Sequence, residues 1–262
     1  VLLAMPASAQ ASDLEFFFFS PQVGSANFSL LKETAETYFR QSGLSLGFHP
    51  FARLEDLERE SARRHPTFLL VPEWAIQNTC SAERLDTVGR PSRNGLPHDR
   101  RALLARKTIP SAAQLAGSAI ATTVHRSAAA GGSGALAQLR ADQPDVRVIP
   151  VPKDVDALLA VGFGQVDAAF VSIAEFERLA RVNPQLTANL HEIGYSENAP
   201  FPALYATPSA DREIVERLSA ALVGAPRNPL GREFIGLLGY DQWEQVSEPT
   251  PAPACKPEEA SR

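Results

Sequence analysis

Cysteine is almost missing from this chain: Cys80 and Cys255 are the only two in 262 residues. That excludes a disulfide framework and leaves room for a single bridge or for two free thiols. CxxC pairs and paired Cys/His spacings are absent, so no structural zinc site is expected. The five histidines, His49, His65, His98, His125 and His191, are scattered singly, and no metal or cofactor is expected. No apolar run approaches the ~20 residues that a membrane-spanning helix needs. A basic excess is lacking too. The formal net charge is −5, which argues against a nucleic-acid partner because no strongly basic face is available. It does not conflict with a local anion site, since a few backbone N–H groups and one arginine can hold an anion inside an acidic protein.

What is present is the composition of a globular chain, 44% hydrophobic and 21% charged, long enough for one large domain or two ordinary lobes. Val1 to Met5 is a short apolar run leading into Ala9-Gln10-Ala11. That triplet has the small-x-small form of a signal-peptidase site, so residues 1–11 read as the remnant of a signal peptide cleaved before Ser12. Export to the periplasm is the expectation, and an oxidising compartment would favour a Cys80–Cys255 bridge.

Leu14 to Phe19 is a continuous apolar run closed by Ser20-Pro21, the pattern of a strand buried on both faces. Apolar residues at helical spacing from Phe28 to Gln41 stop at Gly43. Leu44–Phe48 and Thr67–Val71 read as strands around a charged helix over Leu54–Arg64. This order predicts parallel strands joined by crossover helices. A further strand is expected at Ala102–Ala105. From Gly117 the pattern restarts: strands at Ser118–Thr123, Val146–Val151 and Asp167–Ser172 alternate with helices at Ala135–Ala141, Val155–Phe163 and Ala174–Val182. After Pro200 come a strand at Ala203–Ala206 and two helices, one capped by Asp211 and running through Leu222 and one over Leu230–Leu237, too little for a separate domain. The expectation is therefore a discontinuous first lobe (12–116 plus 199–247), an inserted second lobe (117–198) and a Pro-rich tail (248–262). The crossovers would lie near Ile109–Gly117 and Tyr195–Pro202.

Several segments carry a family resemblance. Phe16 to Pro21 resembles a first strand ending in Ser-Pro, Phe39 to Gly43 a helix end, and Ile120 to Leu139 a strand, a Ser/Gly-rich loop and a helix. Gly164-Gln165-Val166-Asp167-Ala168-Ala169-Phe170-Val171 is similar to a G-x-V-D-A-A strand entry. Together they resemble the type II periplasmic solute-binding proteins, in the phosphate/phosphite/phosphonate-binding branch of the ABC-transporter receptors. The resemblance implies an α/β, two-lobed fold, each lobe a mixed, mainly parallel sheet flanked by helices, with the ligand cleft between the lobes. It also implies a membrane permease as partner, a small anion as cargo and no catalysis. A monomer is expected. The loop His125 to Gly134 departs from the branch's Ser-Thr or Ser-x-Ser-Gly spacing and adds His and Arg.

In open parallel sheets, ligands bind beyond the carboxyl ends of the strands. Ser20 follows the first strand, Glu73 and Trp74 the third, and His125, Arg126 and Ser127 the first strand of the second block. Gly131 to Gly134, with Ser133, precedes a helix whose unpaired N–H groups suit phosphate, phosphonate, sulfate or carboxylate. Arg126 can add a bidentate clamp. Ser172 ends another strand, and Tyr195 lies near the second crossover, with hinge and ligand roles both open. Asp167 reads as a turn cap before a strand, with a ligand contact as the alternative.

Two other readings compete. A binder of the same fold could take another solute and serve a sensor or accessory role. Ser133, Asp167 and His191 also stand in the order of a serine hydrolase. That elbow requires a strand running straight into the serine, whereas the stretch from Val124 to Gly132 separates Ser133 from the strand.

Overall fold

The computed structural model describes residues 14–20, 27–79, 85–124 and 134–251. It contains two mixed sheets flanked by helices. The first sheet forms around β1 (Leu14–Phe19), which pairs in parallel with β2 (Leu46–Phe51) and β3 (Phe68–Val71). A strand with neighbours on both edges and helices on both faces has no polar side, and Phe16, Phe17, Phe18 and Phe19 are all buried. Alternation sends Phe16 and Phe18 to one face, where they meet Leu31, Ala35 and Phe39 of α1 (Phe28–Gln41). Phe17 and Phe19 go to the other face, with Leu54 and Leu57 of α2 (Leu54–Arg64). A short helix not anticipated from the sequence, α3 (Glu73–Thr79), follows β3.

The chain completes this sheet with antiparallel strands. β4 (Asp86–Ser92) lies between β10 (Ala203–Ala206) and β11 (Gln242–Pro251), and β10 pairs with β3, giving the order β11-β4-β10-β3-β1-β2. The second sheet runs in the order β7 (Arg147–Pro150), β6 (Ala119–Thr122), β8 (Ala168–Ser172), β5 (His98–Arg106) and β9 (Leu190–Pro200). Its parallel half is β6, β7 and β8. Helices α4 (Ala135–Asp142), α5 (Asp154–Gly162) and α6 (Ile173–Val182) connect or follow these strands. Ala135, Leu136 and Leu139 of α4 cover one face with Leu103, Ala105 and Phe170. Ala157, Leu158 and Val161 of α5 cover the other.

Three expectations change. The strand at Ala102–Ala105 is the middle of β5 (His98–Arg106), which pairs antiparallel with β8 and not within the first sheet. The chain therefore leaves the first sheet between Ser92 and His98, earlier than Ile109–Gly117. The stretch after Leu190 is an eleven-residue strand, β9 (Leu190–Pro200), on the far side of β5. Its irregular alternation hid it: Gly194 and Tyr195 both adopt positive φ where the register against β5 shifts. Finally, β11 (Gln242–Pro251) pairs with β4, so the expected tail from 248 starts inside a strand. Short α7 (Pro184–Thr187), α8 (Arg212–Gly224) and α9 (Pro229–Leu237) complete the described chain. Asp211 caps α8 through Glu213 N–H, as expected, and Asn228 caps α9 before its first-turn proline.

The outgoing crossover is a two-residue turn, Asn94-Gly95, with φ of 53° and 72°. Both left-handed positions suit the Asn-Gly pair. Beside it the Arg93 guanidinium donates to Gly239 O at 2.7 Å and lies over the Phe201 and Tyr240 rings. Phe201 N donates to Pro97 O at 3.1 Å, tying the outgoing and returning segments together.

Candidate functional site

The parallel strands β6, β7 and β8 all end on one edge of the second sheet, and a polar cluster is built there. Asp154, wholly buried on the first turn of α5, is its centre. Its Oδ1 accepts from Arg101 Nη2 and from Thr123 Oγ1, both at 2.8 Å. Its Oδ2 accepts from Arg101 Nη1 and from Ser172 N–H, both at 3.1 Å. Four donors thus converge on one fully buried carboxylate on a helix's first turn, two of them from the same guanidinium. Arg101, at 6% exposure, is equally enclosed, and its face lies over the Phe170 ring. Among the described residues its Nε–H has no partner.

Asp99, two residues before Arg101, accepts from Ser172 Oγ at 2.9 Å. Burial pushes its carboxyl up from the ordinary aspartate range, against the opposing pull of the Ser172 bond and of Arg101 and Arg93. Beside this cluster, Glu197 of β9 stands directly opposite Arg101 in the strand register. Its Oε2 accepts from the N–H of Ala135, the first residue of α4, at 2.6 Å. Gly134 has no Cβ, and one built there would collide with that carboxylate.

The sequence-derived candidates divide. Ser172 belongs to this edge, but its hydroxyl proton goes to Asp99 and its oxygen caps α6 at Glu175 N–H. Ser20 closes β1, where its N–H donates to Phe51 O. Glu73 and Trp74 form the start of α3, and the indole packs edge-on against Phe19 at 5.9 Å. Tyr195 sits on the β9 irregularity, not at a crossover, and its hydroxyl donates to Asp142 Oδ2 at the carboxyl end of α4. Asp167, at the opposite end of β8 from Ser172, accepts from Ala119 N–H of β6, 48 positions away, at 3.0 Å, a bond between strands and not within a turn. His125, Arg126, Ser127 and Ser133 lie outside the described residues, as do Cys80, Cys255 and the N-terminal Val1 to Ala11.

Asp99, Arg101, Thr123, Asp154 and Glu197 were not singled out from sequence. Arg101 and Asp154 are 53 positions apart, and Ala135 and Glu197 are 62 apart. No local spacing reports such pairs. The one available signal was the Asp-Arg-Arg run opening an otherwise apolar strand, His98 to Arg106.

A family model described as the periplasmic phosphonate substrate-binding protein of ABC transporters matches residues 82–250, well over half of the chain. No curated protein matches. Solved structures share the fold. A binding protein component of a phosphonate ABC transporter from Pseudomonas aeruginosa has a TM-score of 0.64 at 14% identity, covering 89% of this chain and 82% of that one. PhnD1 from Prochlorococcus marinus, in complex with methylphosphonate, has a TM-score of 0.68 at 8% identity, covering 89% and 92%. A Xanthomonas citri protein bound to ATP has a TM-score of 0.68 at 15% identity, covering 89% and 91%. With the two-sheet architecture, the family match favours a solute-binding role over a sensor one: this chain belongs to the phosphonate-binding, periplasmic substrate-binding proteins of ABC transporters.

Proposed function

We propose that this chain captures a small oxoanion of the phosphonate or phosphate class between its two lobes and delivers it to a membrane permease. The observation that carries the reading is the first amide of α4, which donates at 2.6 Å to a carboxylate oxygen. A helix N-terminus beyond the carboxyl end of a parallel strand presents unpaired N–H groups and a partial positive charge. Here that position already holds an anionic group. Arg101 adds a buried cation on the same strand edge.

The first lobe is taken as the chain up to Ser92 together with the part from Ala203, and the second as His98 to Pro200. Their crossovers serve as the hinge. Ser20, Glu73 and Trp74 approach the ligand from the first lobe. His125, Arg126, Ser127, Ser133 and Ser172 contribute ligand contacts from the second lobe. Closure follows from differential contact, because a ligand touching both lobes stabilises only the closed state. The chain works as a monomer without catalysis and is exported through a cleaved signal peptide.

A thermal-shift panel of phosphate, methylphosphonate, phosphite, sulfate and small carboxylates tests the ligand class. At a hundredfold excess over Kd, a ligand that binds only the native state adds about 2.7 kcal/mol. For a chain of this size that is a Tm rise of roughly 5–10 °C. At least one phosphorus oxoanion is expected to produce it. No shift with any anion, together with a shift from a neutral or cationic solute, would remove the oxoanion reading.

A further inference from the structure

Glu197 does not belong to the expected chemistry of an anion receptor, since it places a negative charge on the amide that should meet the ligand. We infer that Glu197 is a tethered competitor, a carboxylate that fills the oxoanion seat at the start of α4 and is displaced when the ligand binds. The inference rests on the oxoanion reading and adds its regulation.

Three observations converge. First, the Glu197 carboxylate is bonded to Ala135 N–H at 2.6 Å, and the missing side chain of Gly134 gives it room to approach. Second, Arg101 and Glu197 are register partners on adjacent strands. Arg101 shares strand parity with Leu103 and Ala105, which pack against Ala135, Leu136 and Leu139 of α4. Arg101, which lies over Phe170, and Glu197 therefore leave their strands on the face that α4 covers. Third, Arg101 is 6% exposed, yet among the described residues its Nε–H has no partner. Both outer nitrogens are spent on Asp154, at 2.8 and 3.1 Å. An unpaired N–H on a buried cation, on the register partner of the carboxylate that the Ala135 amide grips, leaves a further donor for an oxoanion. One carboxylate satisfies one of these donors, whereas a tetrahedral oxoanion has the oxygens to meet several.

The arrangement has a consequence for affinity. Glu197 neutralises the empty seat in the unliganded protein, so only a ligand with stronger or more numerous contacts replaces it. A monoanionic carboxylate gains little over the side chain already there, and a phosphonate dianion gains more. Glu197 thereby lowers affinity for every anion and discriminates against the weak ones.

The test compares wild type with Glu197→Gln by calorimetric titration of methylphosphonate and of acetate. The variant keeps an oxygen acceptor of the same reach and removes the competing charge. It is expected to bind methylphosphonate at least tenfold more tightly and to show measurable acetate binding. In wild type, the Ala135 amide resonance should shift on saturation with methylphosphonate as its acceptor changes. If Gln disturbs the fold, judged by circular dichroism, Glu197→Asp replaces it: one methylene short of the amide, it should also bind methylphosphonate more tightly than wild type. Equal or weaker affinity in the folded variants, with binding intact in wild type, overturns the competitor role alone. No binding of methylphosphonate by any form overturns the role together with the oxoanion reading.

Discussion

Tyr205 shows at single-residue scale how burial is traded against hydrogen bonding. Its side chain is fully buried on β10 among Phe17, Phe19, Leu54 and Val71, and among the described residues its hydroxyl has no partner. Desolvation pushes its phenol up to about 12, from an ordinary value of 10.0. The native state thus keeps its proton where the unfolded chain has lost it. The unfolded chain binds fewer protons above pH 10, so stability falls as pH rises from 10 towards 12. Tyr205→Phe removes both the orphaned hydroxyl and this alkaline loss. It should raise stability by about 1 kcal/mol at pH 8 and flatten the stability profile between pH 10 and 12, measured by urea unfolding. A variant less stable than wild type at pH 8 would show that the hydroxyl is satisfied in solution. Asp99 has the same sign: burial raises its carboxyl, so ionising it as pH rises out of the acid range weakens the native state.

At the scale of elements, Asp154 joins four pieces of structure. It sits on the first turn of α5 and grips β5 through Arg101, the end of β6 through Thr123 and the end of β8 through Ser172 N–H. Removing one partner of a buried ion pair leaves an uncompensated charge, and the cost is roughly 3–5 kcal/mol. Asp154→Ala should lose about that much in urea unfolding. Pairing it with Arg101→Met should recover most of the loss, because the isolated buried cation is then gone as well. A loss near zero in the single variant would mean that water reaches the site.

Legibility from sequence followed the same boundary between local and distant contacts. Helices α1, α2, α4, α5, α6, α8 and α9 and strands β1, β3, β6, β7, β8 and β10 were readable to within a few residues, because each carries its own period. The aromatic run Leu14–Phe19 announced a central strand, and Asp211 announced a helix start. β9 was not readable, since Gly194 and Tyr195 break its alternation at the bulge. β11 was masked by proline and glutamate, yet Trp243 buries against the first core from the sheet edge. The candidate site was less legible. Rules about strand ends found Ser172 and the start of α4, but Asp99, Arg101 and Glu197 acquire their partners only through tertiary pairing.

At the scale of the whole molecule, the antiparallel strands organise the two lobes. Each sheet has a three-stranded parallel half, and each is extended by strands that flank a crossover: β4 and β10 on one side, β5 and β9 on the other. The crossover segments are short and bonded to each other through Phe201 and Pro97. Such a connection permits rotation of one lobe against the other while limiting translation, the geometry of hinge closure. Small-angle scattering, with and without saturating methylphosphonate, tests this most directly. A smaller radius of gyration in the liganded sample, with calorimetry on the same sample reporting one site per chain, is the predicted result. Saturable binding with an unchanged radius of gyration would contradict closure of two lobes around an oxoanion.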